Sequence, residues 1–153
     1  MPDTQPNGVT GVIAIVPTFR ADYGLLDGLA ALSPQVDAII VVDDASPEES
    51  AGILAQVERA GFEVVRRSVN GGIAAALNTG VEMALERGAR FVLTIDQDTV
   101  LPHHYVSDCL TAFVIASPAT RLGIVCTDRV NGQPSIPEHY TEEGLGLVRE
   151  AIQ

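Results

Sequence analysis

The chain has 153 residues, of which 46% are hydrophobic and 19% charged, and its formal net charge is −11. This profile is typical of one globular α/β domain, or of half a larger one, and it excludes disorder, collagen and coiled coil. No apolar run reaches the roughly 20 residues of a membrane span, and residues 1–8 do not resemble a signal peptide. We therefore expect a soluble, cytoplasmic protein. The acidic balance excludes general nucleic-acid binding.

All nine basic residues are Arg, and the chain contains no Lys. This absence excludes a Walker-type phosphate loop, Schiff-base or pyridoxal-phosphate catalysis and protein kinase chemistry, because each needs a lysine amine. The two cysteines, Cys109 and Cys126, lack CxxC spacing. We interpret them as reduced, buried small side chains rather than zinc ligands.

Short continuous apolar runs alternate with longer helical patterns along the chain. In chain order they predict strand 11–16, helix 23–32, strand 38–42, helix 47–60, edge strand 62–67, helix 72–87, strand 91–95, helix 102–116 and strand 122–126. Ser46 is predicted to cap the second helix. In the third helix the predicted buried stripe consists of Ile73, Leu77, Val81 and Leu85.

This alternation predicts an α/β fold, a doubly wound and mostly parallel sheet with helices on both faces. Continuous apolar runs indicate strands that are buried on both faces. We divide the chain into an N-terminal tail (1–10), an α/β domain (11–130) and an irregular C-terminal segment (131–153) in which Gly, Pro and acidic residues dominate.

Polar and turn residues cluster just after the predicted strands. These tips are Pro17-Thr18-Phe19-Arg20, Asp43-Asp44, Asn70-Gly71-Gly72 and Asp96-Gln97-Asp98. An open parallel sheet binds its ligands beyond the carboxyl ends of its strands, where the strand order reverses. Their convergence therefore predicts a ligand site at this edge of the sheet.

Asp96 and Asp98 put two carboxylates on one side of a turn. Such hard oxygen ligands suit Mg²⁺ or Mn²⁺, and a cation between carboxylates allows them to bind a diphosphate. The structural alternative is an Asx turn at a strand end.

Asp43 and Asp44 offer one carboxylate that can accept hydrogen bonds from a nucleobase imide or a ribose hydroxyl. The alternative is a solvated strand end in which one carboxylate favours the helix dipole. Thr18 and Arg20 are candidates to contact the same base or a phosphate, although Arg20 also suits a solvent-exposed role.

Gly71 and Gly72 either allow an anion to approach a helix N-terminus or form a simple turn. Asn78 in the third helix either braces the crevice or bends the helix. His103 and His104 are adjacent and point to different faces, so we interpret them as solvated or packing residues rather than metal ligands.

With these residues in place, the chain resembles the N-terminal, nucleotide-sugar-binding half of family 2 glycosyltransferases, which have the GT-A fold. The resemblance rests on the order and spacing of residues 15–20, 41–46, 70–72 with 74–78, and 91–98. Asp96-Gln97-Asp98 is similar to the version in the bacterial rhamnosyltransferase branch, which implies a dTDP-rhamnose donor and cell-wall polysaccharide biosynthesis.

The resemblance implies that Thr18 and Phe19 line the base pocket and that Asp44 contacts the base. It also implies that Asp96 lies near the ribose and the metal, and that Asp98 ligates Mg²⁺ or Mn²⁺ directly. The candidate nucleotide-sugar site is completed by Pro17, Arg20, Asp43, Gly71, Gly72, Asn78 and Gln97.

The implied reaction is inverting transfer of a sugar from a dTDP- or UDP-linked donor to a glycan or lipid-linked acceptor, in the cytoplasm or at the inner face of the plasma membrane. Family members carry the catalytic base in a C-terminal half, so we expect the base beyond Gln153 and the fold to be truncated at its C-terminal side. The chain should then bind nucleotide and metal without transferring sugar, and it should self-associate as a homo-oligomer if a sheet edge is exposed.

Two other classes remain open. One is a non-catalytic module that binds nucleotide and divalent metal. The other is a sugar-phosphate nucleotidyltransferase, which would ordinarily carry a Gly-rich, basic loop after the first strand, unlike Thr18-Phe19-Arg20-Ala21.

Overall fold

The computed structural model of this chain describes residues 11–115, 123–125, 129–130 and 133–134. The chain divides into two compact units, Met1–His103 and His104–Gln153. The domain boundaries predicted at residues 10 and 130 stay predictions, because one side of each boundary lies outside the described residues. Among the described residues, no helix has the length and apolar character needed to span a bilayer.

The first unit is built on a four-stranded parallel sheet with the order β3-β2-β1-β4. The strands are β1 (Val12–Thr18), β2 (Ala38–Asp43), β3 (Glu63–Arg66) and β4 (Phe91–Thr94). Both β1 and β2 are buried along nearly their whole length, as their continuous apolar runs predict. The alternating strand β3 lies at the edge of the sheet, which confirms the sequence prediction.

Three helices connect these strands: α1 (Gly24–Leu32), α2 (Ala51–Arg59) and α3 (Ile73–Glu86). The chain moves outward from β1 to β2 to β3, and α3 then carries it back across the sheet to β4, on the other side of β1. Because parallel crossovers are right-handed, α3 covers the opposite face from α1 and α2. The predicted doubly wound α/β fold is confirmed, and its strand order reverses between β1 and β4.

Helix α3 packs on the sheet mainly through small residues. Of the predicted stripe of large side chains, Leu77 and Val81 are half-buried, whereas the prediction is wrong for Ile73 and Leu85. Ile73 and Leu85 are 59% and 61% exposed. A Cβ added at Gly80 would lie 2.3 Å from Cγ2 of Ile15 on β1, so the helix backbone runs too close to the sheet for a larger residue. The buried face of the helix consists of Ala76, Gly80 and Ala84.

The second helix begins later than predicted. Glu48–Ser50 form a turn of 3-10 helix, and α2 starts at Ala51. Ser46 does not cap it, because the Ser46 Oγ accepts a hydrogen bond from the backbone N–H of Arg20 at 2.8 Å. This serine therefore ties the turn after β1 to the turn after β2.

The second unit contains α4 (Tyr105–Ile115) and the short antiparallel pair β5 (Arg129–Val130) and β6 (Gln133–Pro134). The predicted fourth helix is confirmed with a later start, and Cys109 lies half-buried within it. Of the predicted strand 122–126, residues 123–125 have no regular secondary structure, and both ends, including Cys126, lie outside the described residues.

Candidate functional site

A cavity of about 510 Å³ opens at the carboxyl ends of β1, β2 and β4, where the strand order reverses. Its volume lies within the range of small-molecule sites, about 300–1,000 Å³. Eight of the residues predicted from the sequence line it: Pro17, Thr18, Phe19, Asp44, Gly72, Asp96, Gln97 and Asp98. The lining also includes Asn70 from the third tip, together with Ala76 and Ile73 of α3; the apolar pattern predicts helix packing, not a site, for Ile73.

Four other predicted residues lie outside this lining. Arg20 has a left-handed backbone with φ 55°, and its guanidinium carbon lies 5.3 Å from the centroid of the Phe19 ring. Asp43 is buried, and both of its carboxylate oxygens lie 3.3 Å from the backbone N–H donor of Ser46. Gly71 contacts Asp44 through its amide, and Asn78 is exposed on α3.

Asp44 is buried at the end of β2, and three donors among the described residues bind its carboxylate. The amide nitrogens of Gly71 and Gly72 lie 3.1 and 2.7 Å from its oxygens, and the guanidinium of Arg67 forms an ion pair with it. Gly72 adopts φ 81°, a conformation that glycine tolerates without strain. The N-terminus of α3 thus binds an anion, as an anion-binding turn predicts, but the anion is a side chain of the protein itself.

These contacts determine the charge of Asp44. Burial raises the pKa of this carboxyl, but the hydrogen bonds from Gly71 and Gly72 and the charge of Arg67 outweigh burial and hold the pKa below its usual value. Asp44 is therefore ionised and can only accept hydrogen bonds. Because a carboxylate has about four acceptor positions, three donors leave room for one more from a ligand.

Arg67, the partner of Asp44, is not among the site residues that the sequence predicts. The register of β2 and β3 pairs Asp43 with Arg66, and the backbone N–H of Arg67 donates to the Asp43 carbonyl at 2.8 Å. Successive side chains of a strand point to opposite faces, so Arg66 pairs with Glu58 at 3.2 Å while Arg67 reaches Asp44. One sequence signal indicates Arg67: it is an Arg directly after an edge strand, beside a strand that ends in two carboxylates.

Gln97 joins the turn after β4 to the end of β1. The backbone N–H of Phe19 donates to the Gln97 Oε1 at 3.0 Å, and the Gln97 Nε2 donates to the Phe19 carbonyl at 3.3 Å. The hydroxyl of Thr18 donates to the same Oε1. The middle residue of Asp96-Gln97-Asp98 is therefore held by the neighbouring strand, while its two flanking residues contribute to the cavity.

Asp96 and Asp98 are both exposed at the cavity, where their carboxylate oxygens are available as ligands for a cation. Within the described ranges, no group of three or more His, Cys, Asp or Glu side chains is arranged to hold a metal ion, and His103 and His104 are exposed. This donor set fits Mg²⁺ or Mn²⁺ shared with a ligand, because Mg²⁺ usually binds one or two carboxylates together with substrate phosphates.

A doubly wound α/β domain with a cavity at its switch point defines a class of ligand-binding proteins in which the strand ends carry the site. Comparison with family models assigns this chain within that class. The model described as "Glycosyl transferase family 2" matches residues 13–135, and the chain belongs to this family. A comparison with curated proteins gives no match.

The solved structures that share the fold include the two described here. The crystal structure of S. aureus TarS 1-349 is 24% identical with a TM-score of 0.53, and the match covers 69% of this chain and 32% of that one. The crystal structure of 4-diphosphocytidyl-2C-methyl-D-erythritol synthase is 20% identical with a TM-score of 0.54, covering 84% of this chain and 68% of that one. The chain thus spans about a third of the TarS structure, and both likenesses support the predicted GT-A type of fold.

Proposed function

We propose that this chain carries the part of a glycosyltransferase that binds the sugar nucleotide, and that the cavity takes a UDP- or dTDP-linked sugar together with Mg²⁺ or Mn²⁺. The observation that carries the proposal is the presence of an ionised, hydrogen-bonded Asp44 and the two carboxylates of Asp96 and Asp98 in one cavity. Membership of the glycosyl transferase family 2 supports it.

In this proposal Asp44 recognises the base. Its carboxylate accepts hydrogen bonds only, so the base must present an N–H at that position. Uracil and thymine carry an imide N–H at ring position 3, whereas cytosine has a lone pair there, which the carboxylate repels. We therefore expect uridine or thymidine diphosphates to bind and cytidine diphosphate to bind poorly. Thr18 and Phe19 complete the walls around the base.

At the other side of the ligand, Asp98 would hold the cation, and Asp96 would lie near the ribose and the cation. When bound, the cation stabilises the negative charge that develops on the departing nucleoside diphosphate. The carboxylates alone would repel a diphosphate, so we expect nucleotide binding to depend on the metal.

Sugar transfer itself is a further part of the proposal. The reaction would be an inverting displacement in which an acceptor hydroxyl attacks the anomeric carbon and a carboxylate takes its proton. We propose that this base and the contacts to a glycan or lipid-linked acceptor are not supplied by the cavity residues, and that the chain binds its donor without transferring the sugar. A dTDP-rhamnose donor and a role in cell-wall polysaccharide at the inner membrane face rest on the resemblance of Asp96-Gln97-Asp98 alone.

Calorimetric titration of the chain with UDP, dTDP, GDP and CDP, each with and without Mn²⁺, tests the donor site. We expect Mn²⁺-dependent binding of UDP or dTDP that is tighter than that of CDP. Binding that ignores Mn²⁺, or no binding by a folded chain, contradicts the proposal. Incubation with radiolabelled UDP- or dTDP-sugar and a glycan acceptor tests the second part, and measurable transfer by the 153-residue chain would overturn it.

A nucleotidyltransferase is the alternative enzyme class with a related fold. Such an enzyme needs basic residues to bind a triphosphate, but Arg20 is stacked beside Phe19 and Arg67 is paired with Asp44. Incubation with a nucleoside triphosphate and a sugar phosphate distinguishes the two classes, because only a nucleotidyltransferase releases pyrophosphate.

A further inference from the structure

We propose that Gln97 is a positioning residue that couples the base side of the cavity to its cation side, so that ligand binding on either side strengthens binding on the other. This inference rests on the proposed function, because it concerns how the same cavity assembles around a sugar nucleotide. It is carried by three hydrogen bonds between Gln97 and the end of β1.

The side chain of Gln97 continues the pairing of β1 with β4 after the backbones have separated. The last paired residues of the two strands are Ile15 and Thr94, and the backbone N–H of Ile95 still reaches the Ile15 carbonyl at 3.2 Å. Three residues beyond Thr94, the side-chain amide of Gln97 makes one donor and one acceptor contact with the backbone of Phe19, four residues beyond Ile15. The turn that bears the two carboxylates is thereby attached to the strand end that lines the base side.

Only a carboxamide can make this connection. Its oxygen accepts from the Phe19 N–H and the Thr18 hydroxyl, while its nitrogen donates to the Phe19 carbonyl. Glutamate at this position has no N–H to donate and would repel that carbonyl, and an apolar side chain makes none of the three contacts. Thr18 is buried and has given its only proton to Gln97, so its hydroxyl can offer a base nothing but lone pairs.

Coupling follows from the position of Gln97 between Asp96 and Asp98. A cation bound to the flanking carboxylates restrains the turn, and the turn restrains Thr18 and Phe19 through Gln97. A base that packs against Thr18 and Phe19 then binds with a smaller entropic cost, because these residues are already ordered. Thermodynamic linkage requires the base to raise the affinity for the cation by the same factor.

The test uses ligands without phosphates. No phosphate of uridine or thymidine can join the nucleoside to Mg²⁺, so a Mg²⁺ effect that disappears when the Gln97 contacts are removed must pass through the protein. We would measure their dissociation constants by NMR with and without saturating Mg²⁺, in the wild-type chain, Gln97→Met, Gln97→Glu and the control Gln56→Met on α2. Gln97→Met keeps the side-chain length without its hydrogen bonds.

In the wild-type chain and Gln56→Met, we expect Mg²⁺ to tighten nucleoside binding by about fivefold, the lower end of typical coupling. The factor should fall to about one in Gln97→Met and to an intermediate value in Gln97→Glu, which keeps the two acceptor contacts, and the amide hydrogen exchange of Phe19 should accelerate in Gln97→Met. A factor of one in the wild-type chain, or an unchanged factor in Gln97→Met, overturns the coupling. If the coupling is absent but the wild-type chain still binds UDP with Mn²⁺, only this inference fails. If the wild-type chain binds neither the nucleosides nor UDP with Mn²⁺, the proposed function fails as well.

Discussion

Arg67 and Asp44 form an ion pair across the ends of β3 and β2, two elements that are far apart in the chain and adjacent in the sheet. The pair fixes the Asp44 carboxylate at the cavity, and Gly71 and Gly72 hold it from the N-terminus of α3. Under the proposed function, recognition of the base would therefore depend on a residue that does not itself line the cavity.

Replacing Arg67 by Met should weaken binding of UDP or dTDP in the presence of Mn²⁺ by about tenfold, the value of one hydrogen bond to a charged group. The variant leaves Asp44 with two backbone donors and no counter-charge. The matched control is Arg66→Met, because Arg66 pairs with Glu58 on the exposed side of the same strand. Calorimetry should show an unchanged affinity in the control; equal losses in both variants would mean that Arg67 acts only through the edge of the sheet.

The lowered pKa of Asp44 predicts a pH dependence of stability. A carboxyl whose pKa is lower in the folded chain stabilises the fold above its unfolded pKa, about 4, and this stabilisation is lost as the pH falls through the folded value. Asp44→Asn cannot titrate. The difference in free energy of unfolding between wild type and this variant should thus be constant at neutral pH and shrink below about pH 4. Urea unfolding at several pH values measures it, and a difference that grows on acidification would contradict the prediction.

The strand ends could be predicted from the sequence, because continuous apolar runs stop where polar tips begin. Residues whose role depends on contacts between distant segments could not. Ser46 has the spacing of a helix cap, yet its hydroxyl binds the amide of Arg20, and Gly80 interrupts an apolar pattern because α3 approaches Ile15 closely. The pairing of Arg67 with Asp44 depends on the register of the sheet, which no local pattern determines.

Asp98→Asn should abolish the effect of Mn²⁺ on nucleotide binding, because it removes one of the two carboxylates offered to the cation. We expect the affinity for UDP or dTDP with Mn²⁺ to fall by at least about tenfold. Replacing a residue that only hydrogen-bonds to a metal ligand typically lowers metal affinity by that much, so the loss of a ligand should cost no less. Asp27→Asn makes the same change of charge on an exposed position of α1 and should bind like wild type. Calorimetric titration of both variants with and without Mn²⁺ tests whether Asp98 binds the cation. If nucleotide binding by Asp98→Asn still depends on Mn²⁺, the cation binds at other residues.

The close packing of α3 on the sheet predicts opposite effects for two glycine substitutions. Gly80→Ala should lower the free energy of unfolding by about 1–3 kcal/mol, because its Cβ would meet Ile15 at 2.3 Å. Gly52→Ala on α2 meets no atom within 4 Å and should raise it by about 0.5–1 kcal/mol. Urea unfolding of the two variants checks the signs, and a stable Gly80→Ala chain would mean that α3 can move away from β1.

In the proposed function, one cavity at the carboxyl ends of β1, β2 and β4 binds both the nucleotide and the cation. Paramagnetic broadening of amide signals in ¹H–¹⁵N NMR spectra, with UDP or dTDP and substoichiometric Mn²⁺, locates the bound cation on the chain. We expect the amides of Thr18, Gly72 and Asp98 to broaden first, while those of Asp37 and Phe62, at the opposite end of the strands, keep their intensity. Broadening centred on Asp37 and Phe62, or none in a folded chain, would contradict it.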